Sequence, residues 1–142
     1  MTPGVRVAPR PRTGPPLDLG VSEIGDRLGL FLDGVAGSLG AVVTDSYGDA
    51  IDYAFERGKA SLMDVELTGA QLGQSIERLR SISVIFGLGD PSILLDGRDG
   101  SLLVSGIDHQ CNLAIMLASG ANLAQLWREV PALQQDLEVL LR

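Results

Sequence analysis

The stretch Ser92-Ile93-Leu94-Leu95-Asp96-Gly97-Arg98-Asp99-Gly100-Ser101-Leu102-Leu103-Val104-Ser105-Gly106-Ile107-Asp108-His109-Gln110-Cys111-Asn112-Leu113-Ala114-Ile115-Met116-Leu117-Ala118 decides the fold. Three short apolar runs are separated by two polar breaks, a pattern that predicts an antiparallel meander. Asp99-Gly100 is a hairpin signal, because glycine supplies the positive φ that such turns need. A meander cannot bury both of its faces alone, so the segments around it must pack onto it.

Working upstream, residues 64 to 86 carry a helical pattern. Val65, Leu72, Ile76, Leu79, Ile82 and Phe86 share one arc, and Glu66, Gln74, Glu77 and Ser81 lie opposite. The last turns, Ile82 to Phe86, are apolar on every side and need two covers: the sheet and, we expect, another chain. Gly87, Gly89 and Pro91 stop the helix. Before it, Leu39 to Thr44 reads as a strand, Asp45 to Asp49 as a turn, and Ala50 to Glu56 as a half-buried strand. In that strand Ile51, Tyr53 and Phe55 share the buried face, opposite Asp52, Ala54 and Glu56. A first helix is expected from Asp18, with Val21, Ile24, Leu28, Phe31 or Leu32, and Val35 as its stripe and Asp18 or Ser22 as its cap.

Downstream, Asn122 to Gln125 resembles a capping box. The stripe Leu123, Leu126 or Trp127, Val130, Leu133, Leu137 and Leu140 or Leu141 predicts a last helix, with Trp127 read as core. Pro131 inside it predicts a kink or a short break. The order is α-β-β-α-β-β-β-α. It predicts an α+β fold with a single antiparallel five-stranded sheet and helices on both faces.

Residues 1 to 16 hold five prolines and three arginines and read as a disordered tail; residues 17 to 142 read as one domain. Taking Arg6, Arg10 and Arg12 from the formal charge of −7 leaves −10 for the remainder. Such acidity predicts no nucleic-acid and no anionic-membrane partner; it fits a partner with a basic patch, or solubility alone. There is no apolar run of membrane-spanning length, no signal-peptide pattern and a single cysteine, Cys111, so a cytoplasmic location is expected.

No catalytic constellation, metal site or cofactor site is expected. Gly58-Lys59 is followed by Ala60 and lacks the upstream glycine of a nucleotide loop. His109 and Cys111 have no second His or Cys to complete a zinc site, and both are read as chemically silent. Asp96, Asp99 and Asp108 fit turn chemistry rather than calcium binding.

The run Gly34-Val35-Ala36-Gly37-Ser38-Leu39-Gly40-Ala41-Val42-Val43-Thr44-Asp45-Ser46-Tyr47-Gly48, with its Asp-x-x-Gly turn, resembles the roadblock/dynein light chain family. The element order over residues 17 to 142 carries the same likeness, and the bacterial members are the nearer comparison. The resemblance implies a non-enzymatic homodimer whose second helices pack together and whose third strands pair. It also implies that the dimer binds a small Ras-like GTPase as an activator or scaffold. The expected interface residues are Leu67, Leu72, Ile76, Leu79, Ile82, Val84, Ile85 and Phe86 of the second helix, with Ile93 and Leu95 of the edge strand. Leu67, Val84 and Ile85, off the main stripe, are assigned to the intermolecular side. Arg57, Arg78, Arg80 and Arg98 are arginine-finger candidates by charge alone, with solvated surface side chains the preferred reading. A small-molecule sensor domain of similar α+β fold is the alternative function.

Overall fold

The computed structural model describes residues 16–108 and 110–142; the expectations for His109 and for most of the tail lie outside them. The elements are β1 (Leu17–Leu19), α1 (Glu23–Gly34), β2 (Ser38–Asp45), β3 (Ala50–Glu56), α2 (Leu62–Phe86), β4 (Ser92–Asp96), β5 (Gly100–Gly106), β6 (Cys111–Ala118) and α3 (Leu123–Leu140). Among the described residues the sheet has six strands, not the expected five, in the order β1-β3-β2-β6-β5-β4. All neighbouring pairs are antiparallel. The additional strand, β1, is three residues long, too short for an alternation to register. Asp18 lies in it rather than capping a helix, and Arg57 reaches across to Asp18 at 2.5 Å. That hydrogen bond holds the half-buried Asp18 carboxyl below its ordinary range.

The meander forms as expected, but for a different reason at its first turn. Gly100 has no positive φ and opens β5. A Cβ there would lie 2.9 Å from the Leu117 carbonyl oxygen, so the glycine is needed for room against β6.

α1 and α3 cover one face of the sheet and α2 covers the other. The first face holds the main core, with Leu28, Leu103, Leu113, Ile115, Leu126, Leu133 and Leu137 fully buried. Cys111 belongs to this cluster, and burial, then the charges of Asp108 and Asp45, push its thiol pKa up. α3 runs as one helix through Pro131, without a break. Leu126 takes the buried position and Trp127 stays 44% exposed, which overturns its reading as core. Only half of the expected capping box forms. Asn122 accepts from the Gln125 N–H, whereas the Gln125 side chain accepts from the N–H of Ala36 and ties α3 to the turn after α1.

β3 corrects the expectation of a half-buried strand. The buried face is the reverse of the expected one: Asp52, Ala54 and Glu56 are buried, whereas Ile51 is 41% exposed and Tyr53 half-buried, leaving Phe55 alone buried on its side. Asp52, 2% exposed, lies under the start of α1. The Asp52 carboxylate accepts from the backbone N–H groups of Val21 (3.1 Å), Ser22 (2.9 Å), Gly25 (2.8 Å) and Tyr53 (3.0 Å), and from the Ser22 hydroxyl. Gly20 and Gly25 make this approach possible; a Cβ on Gly20 would fall 1.4 Å from Asp52 Oδ1. Thus α1 starts at Ser22, whose hydroxyl caps Ile24, and a carboxylate from another strand reinforces the cap. Val21 is fully exposed, so the apolar stripe begins at Ile24.

Burial alone would raise the Asp52 pKa, but the hydrogen bonds from Ser22 and the backbone outweigh it and the net shift is downward. A carboxylate with a depressed folded pKa stabilises the fold above its unfolded value, near 3.9. That contribution disappears as pH falls through the lower folded value. Asp52→Asn replaces an ionic acceptor with a neutral amide and should destabilise the fold by on the order of 3 kcal/mol at pH 7. In acid the gap between variant and wild type should narrow, as urea titrations at several pH values will show. Pro131→Ala restores an N–H that can bond to the Trp127 carbonyl. It should raise stability by about 1–3 kcal/mol, read in the same titrations.

A candidate protein interface on the second helix

α2 begins with a complete capping box, in which Ser61 accepts from the Asp64 N–H at 3.1 Å and Asp64 accepts from the Ser61 N–H at 3.0 Å. It ends at Gly87, whose left-handed φ of 65° sends the chain toward β4. Between those ends its buried residues are Val65, Gly69, Gly73, Ile76 and Ser83. These are mostly small, and the helix therefore lies close to the sheet. A Cβ on Gly69 would come within 2.7 Å of Thr44 Cγ2 and 2.8 Å of Val42 Cγ1. Across the β2–β3 turn, Gly48 at φ +91° abuts Ala70.

Because glycines take the contact positions, larger apolar residues are turned outward. Leu67 is 59% exposed, Leu79 39%, Ile82 48%, Val84 76%, Ile85 76% and Phe86 71%. Leu88, just past the cap, is 71% exposed. Single exposed apolar residues are ordinary on a protein surface, but a contiguous set on one helix marks an interaction surface. Leu72 is half-buried on the small cluster formed by Val42, Phe55, Val65 and Ala114. Ile76 is fully buried in the protomer, so it leaves the expected interface set: its position on the arc points into the sheet. Beside α2, β5 and β4 continue the same sheet face. Leu95 pairs with Leu102, and Leu102 with Met116 of the α2-side cluster, so Ile93, Leu95, Leu102 and Met116 line it together. Of these Leu95 is 60% exposed. β4 is the last strand on its side of the sheet.

A polar cluster sits under the C-terminal half of α2. Arg80 bonds to Glu77 at 2.9 Å and to Asn112 Oδ1 at 3.0 Å, and Asn112 Nδ2 donates to Glu77 at 3.1 Å. Gly106 admits the guanidinium, since a Cβ there would lie 2.5 Å from Arg80 Nη2. Arg80 is therefore held against the sheet, contrary to its reading as a solvated surface side chain. Arg57 is joined to Asp18, and Arg78 and Arg98 are exposed. The turn aspartates serve their turns: Asp45 accepts from Tyr47 and Asp49, Asp108 from Gln110 and Cys111, and Asp96 from Ser101.

The missed signal was the Gly69-x-x-x-Gly73 spacing, which puts two glycines on one helical face. It marks the side that meets the sheet more surely than the large residues do.

No family model and no curated protein matches the sequence. Solved structures do match the fold. A Roadblock/LC7 domain from Streptomyces avermitilis superposes with a TM-score of 0.69 at 18% identity, covering 81% of this chain and 94% of that one. The gliding protein MglB from Thermus thermophilus gives 0.71 at 12% identity, covering 81% and 85%. A structure described as MglB with a tetrameric arrangement gives 0.71 at 13% identity, covering 82% and 85%. The element order, the glycine-to-strand run after α1 and these superpositions agree: this chain has the roadblock/LC7 fold.

Proposed function

We propose that the chain is a non-catalytic homodimer that regulates or scaffolds a small Ras-like GTPase, with α2 and β4 as the dimer contact. The observation that carries the dimer is the exposed apolar end of α2, from Leu79 to Leu88, lying beside the apolar face of the edge strand. A twofold axis between two copies sets the same residues opposite themselves. Phe86, Ile85, Ile82 and Leu79 of one protomer then cover those of its partner, and burying each large side chain stabilises the pair by about 1.5–3 kcal/mol. Pairing of β4 with its twin also covers a sheet edge that otherwise invites aggregation. Self-association of this fold has a precedent in the tetrameric MglB arrangement.

The GTPase partner rests on the roadblock resemblance, and the gliding protein among the similar structures places the fold in a bacterial setting. Val84 lies within the dimer contact, and Leu67 remains on the outer arc of α2 for such a partner. The acidity of the domain favours a basic surface on it.

Ile85→Asp tests the proposal. It places a charge in a contact that excludes water, an outcome costing several kcal/mol. The expected result is a wild-type dimer and a folded monomeric variant, read by light scattering with circular dichroism as the folding check. A wild type that is monomeric at micromolar concentration removes the dimer. For the partner, bacterial small Ras-like GTPases, beginning with any encoded beside this gene, are titrated in GTP-loaded and GDP-loaded forms. Selective binding of the GTP form, lost in Ile85→Asp, is expected; equal or absent binding of both forms rejects the GTPase reading.

A further inference from the structure

A second surface lies at the other end of the sheet, independent of the α2 face. α1 and β1 run side by side and enclose a groove of about 260 Å³, lined by Leu17, Leu19, Asp26, Gly29, Leu30 and Asp33. Asp26, Gly29, Leu30 and Asp33 stand at positions i, i+3, i+4 and i+7, so they form one ridge of the helix over the strand. Gly29 lets the strand come close: a Cβ there would lie 2.7 Å from a Leu19 methyl group. The floor is apolar and incompletely covered, with Leu19 43% and Leu30 53% exposed. Two carboxylates border it, about 10 Å apart along the helix axis.

We propose that this groove is the docking site of the chain's own N-terminal segment, residues 1 to 15. That segment holds Arg6, Arg10 and Arg12 and no acidic residue, so its charge complements the ridge. It also joins the fold at the groove. Pro16 directly precedes β1, and its carbonyl accepts from the Arg57 N–H, which fixes where the segment enters. β1 leads through Gly20 into the start of α1, so Pro16 lies toward the later turns of the helix and Asp33 is the nearer carboxylate. At up to about 3.1 Å per residue, Arg12 lies no more than roughly 12 Å from Pro16 and Arg10 no more than roughly 19 Å, a reach that spans the ridge. The tether keeps the segment at high effective concentration, so weak exposed ion pairs are enough to hold it.

The test uses the full chain with a nitroxide attached through Ala8→Cys; Cys111 is buried and stays unlabelled, as a control without Ala8→Cys verifies. Enhanced relaxation of amide signals is read in a ¹⁵N-labelled sample. The expected result is broadening concentrated on Leu19, Gly29, Leu30 and Asp33. It should be lost in Asp26→Asn/Asp33→Asn and in salt of about 1 M, where the screening length falls to roughly 3 Å. Circular dichroism checks that the double variant keeps its fold, and Arg10→Ala/Arg12→Ala should lose the broadening as well. Weak broadening spread over the whole surface, broadening centred on α2, or a pattern unchanged in the variants overturns the proposal. So does broadening that appears when spin-labelled ¹⁴N protein is mixed with unlabelled ¹⁵N protein, because the occupant is then a second copy.

Discussion

The close approach of α2 to the sheet sets the character of the molecule. Gly69 and Gly73 leave space that Thr44 and Val42 fill, so the helix axis sits nearer the strands than large side chains would allow. With glycines inside, this 25-residue helix has only two large apolar residues, Val65 and Ile76, fully buried. Apart from half-buried Leu72, its remaining large apolar side chains turn outward. Interface and contact face thus have a single cause. A helix with leucines in place of those glycines would stand off the sheet and lose the Glu77–Arg80–Asn112 contact beneath it.

The opposite face is built in the contrary way. Leu28, Leu133 and Leu137 are fully buried beneath or between α1 and α3, and the sheet contributes Leu103, Leu113 and Ile115. Its polar anchor, Asp52, accepts hydrogen bonds from Val21, Ser22 and Gly25, which fixes where α1 starts. One sheet therefore separates a thick, well-filled layer from a thin one. The thick layer fixes the geometry; the thin layer leaves large apolar side chains of α2 exposed.

This division explains what could be read from the sequence. The meander, the long helix and the first hairpin were legible because each spans enough residues for its period to show. β1 was not, because Leu17, Asp18 and Leu19 are too few. Alternation in β3 showed that Asp52, Ala54 and Glu56 share a face, but alternation does not say whether a face is covered. The polarity of Asp52 argued for solvent, yet the α1 N–H groups that satisfy it lie some 30 residues earlier in the chain. The same limit applied to α2, where hydrophobicity located the apolar residues without saying which side the sheet would take. Ile76 and Leu79 look alike in the sequence, and one is core while the other is surface. At α3 the choice between Leu126 and Trp127 was open for the same reason, and the larger residue went outside.

The thin layer has a consequence for the life of the protein in a cell. An α2 that buries so few large side chains is held weakly by its own protomer, and any molecule bound on its outer arc adds to the stability of the fold by mass action. Copies without an occupant open more often at that helix, and an opened segment is what proteases cut. With α2 covered as proposed above, the abundance of the chain would follow that of its occupant, because uncovered copies are the ones exposed to cleavage.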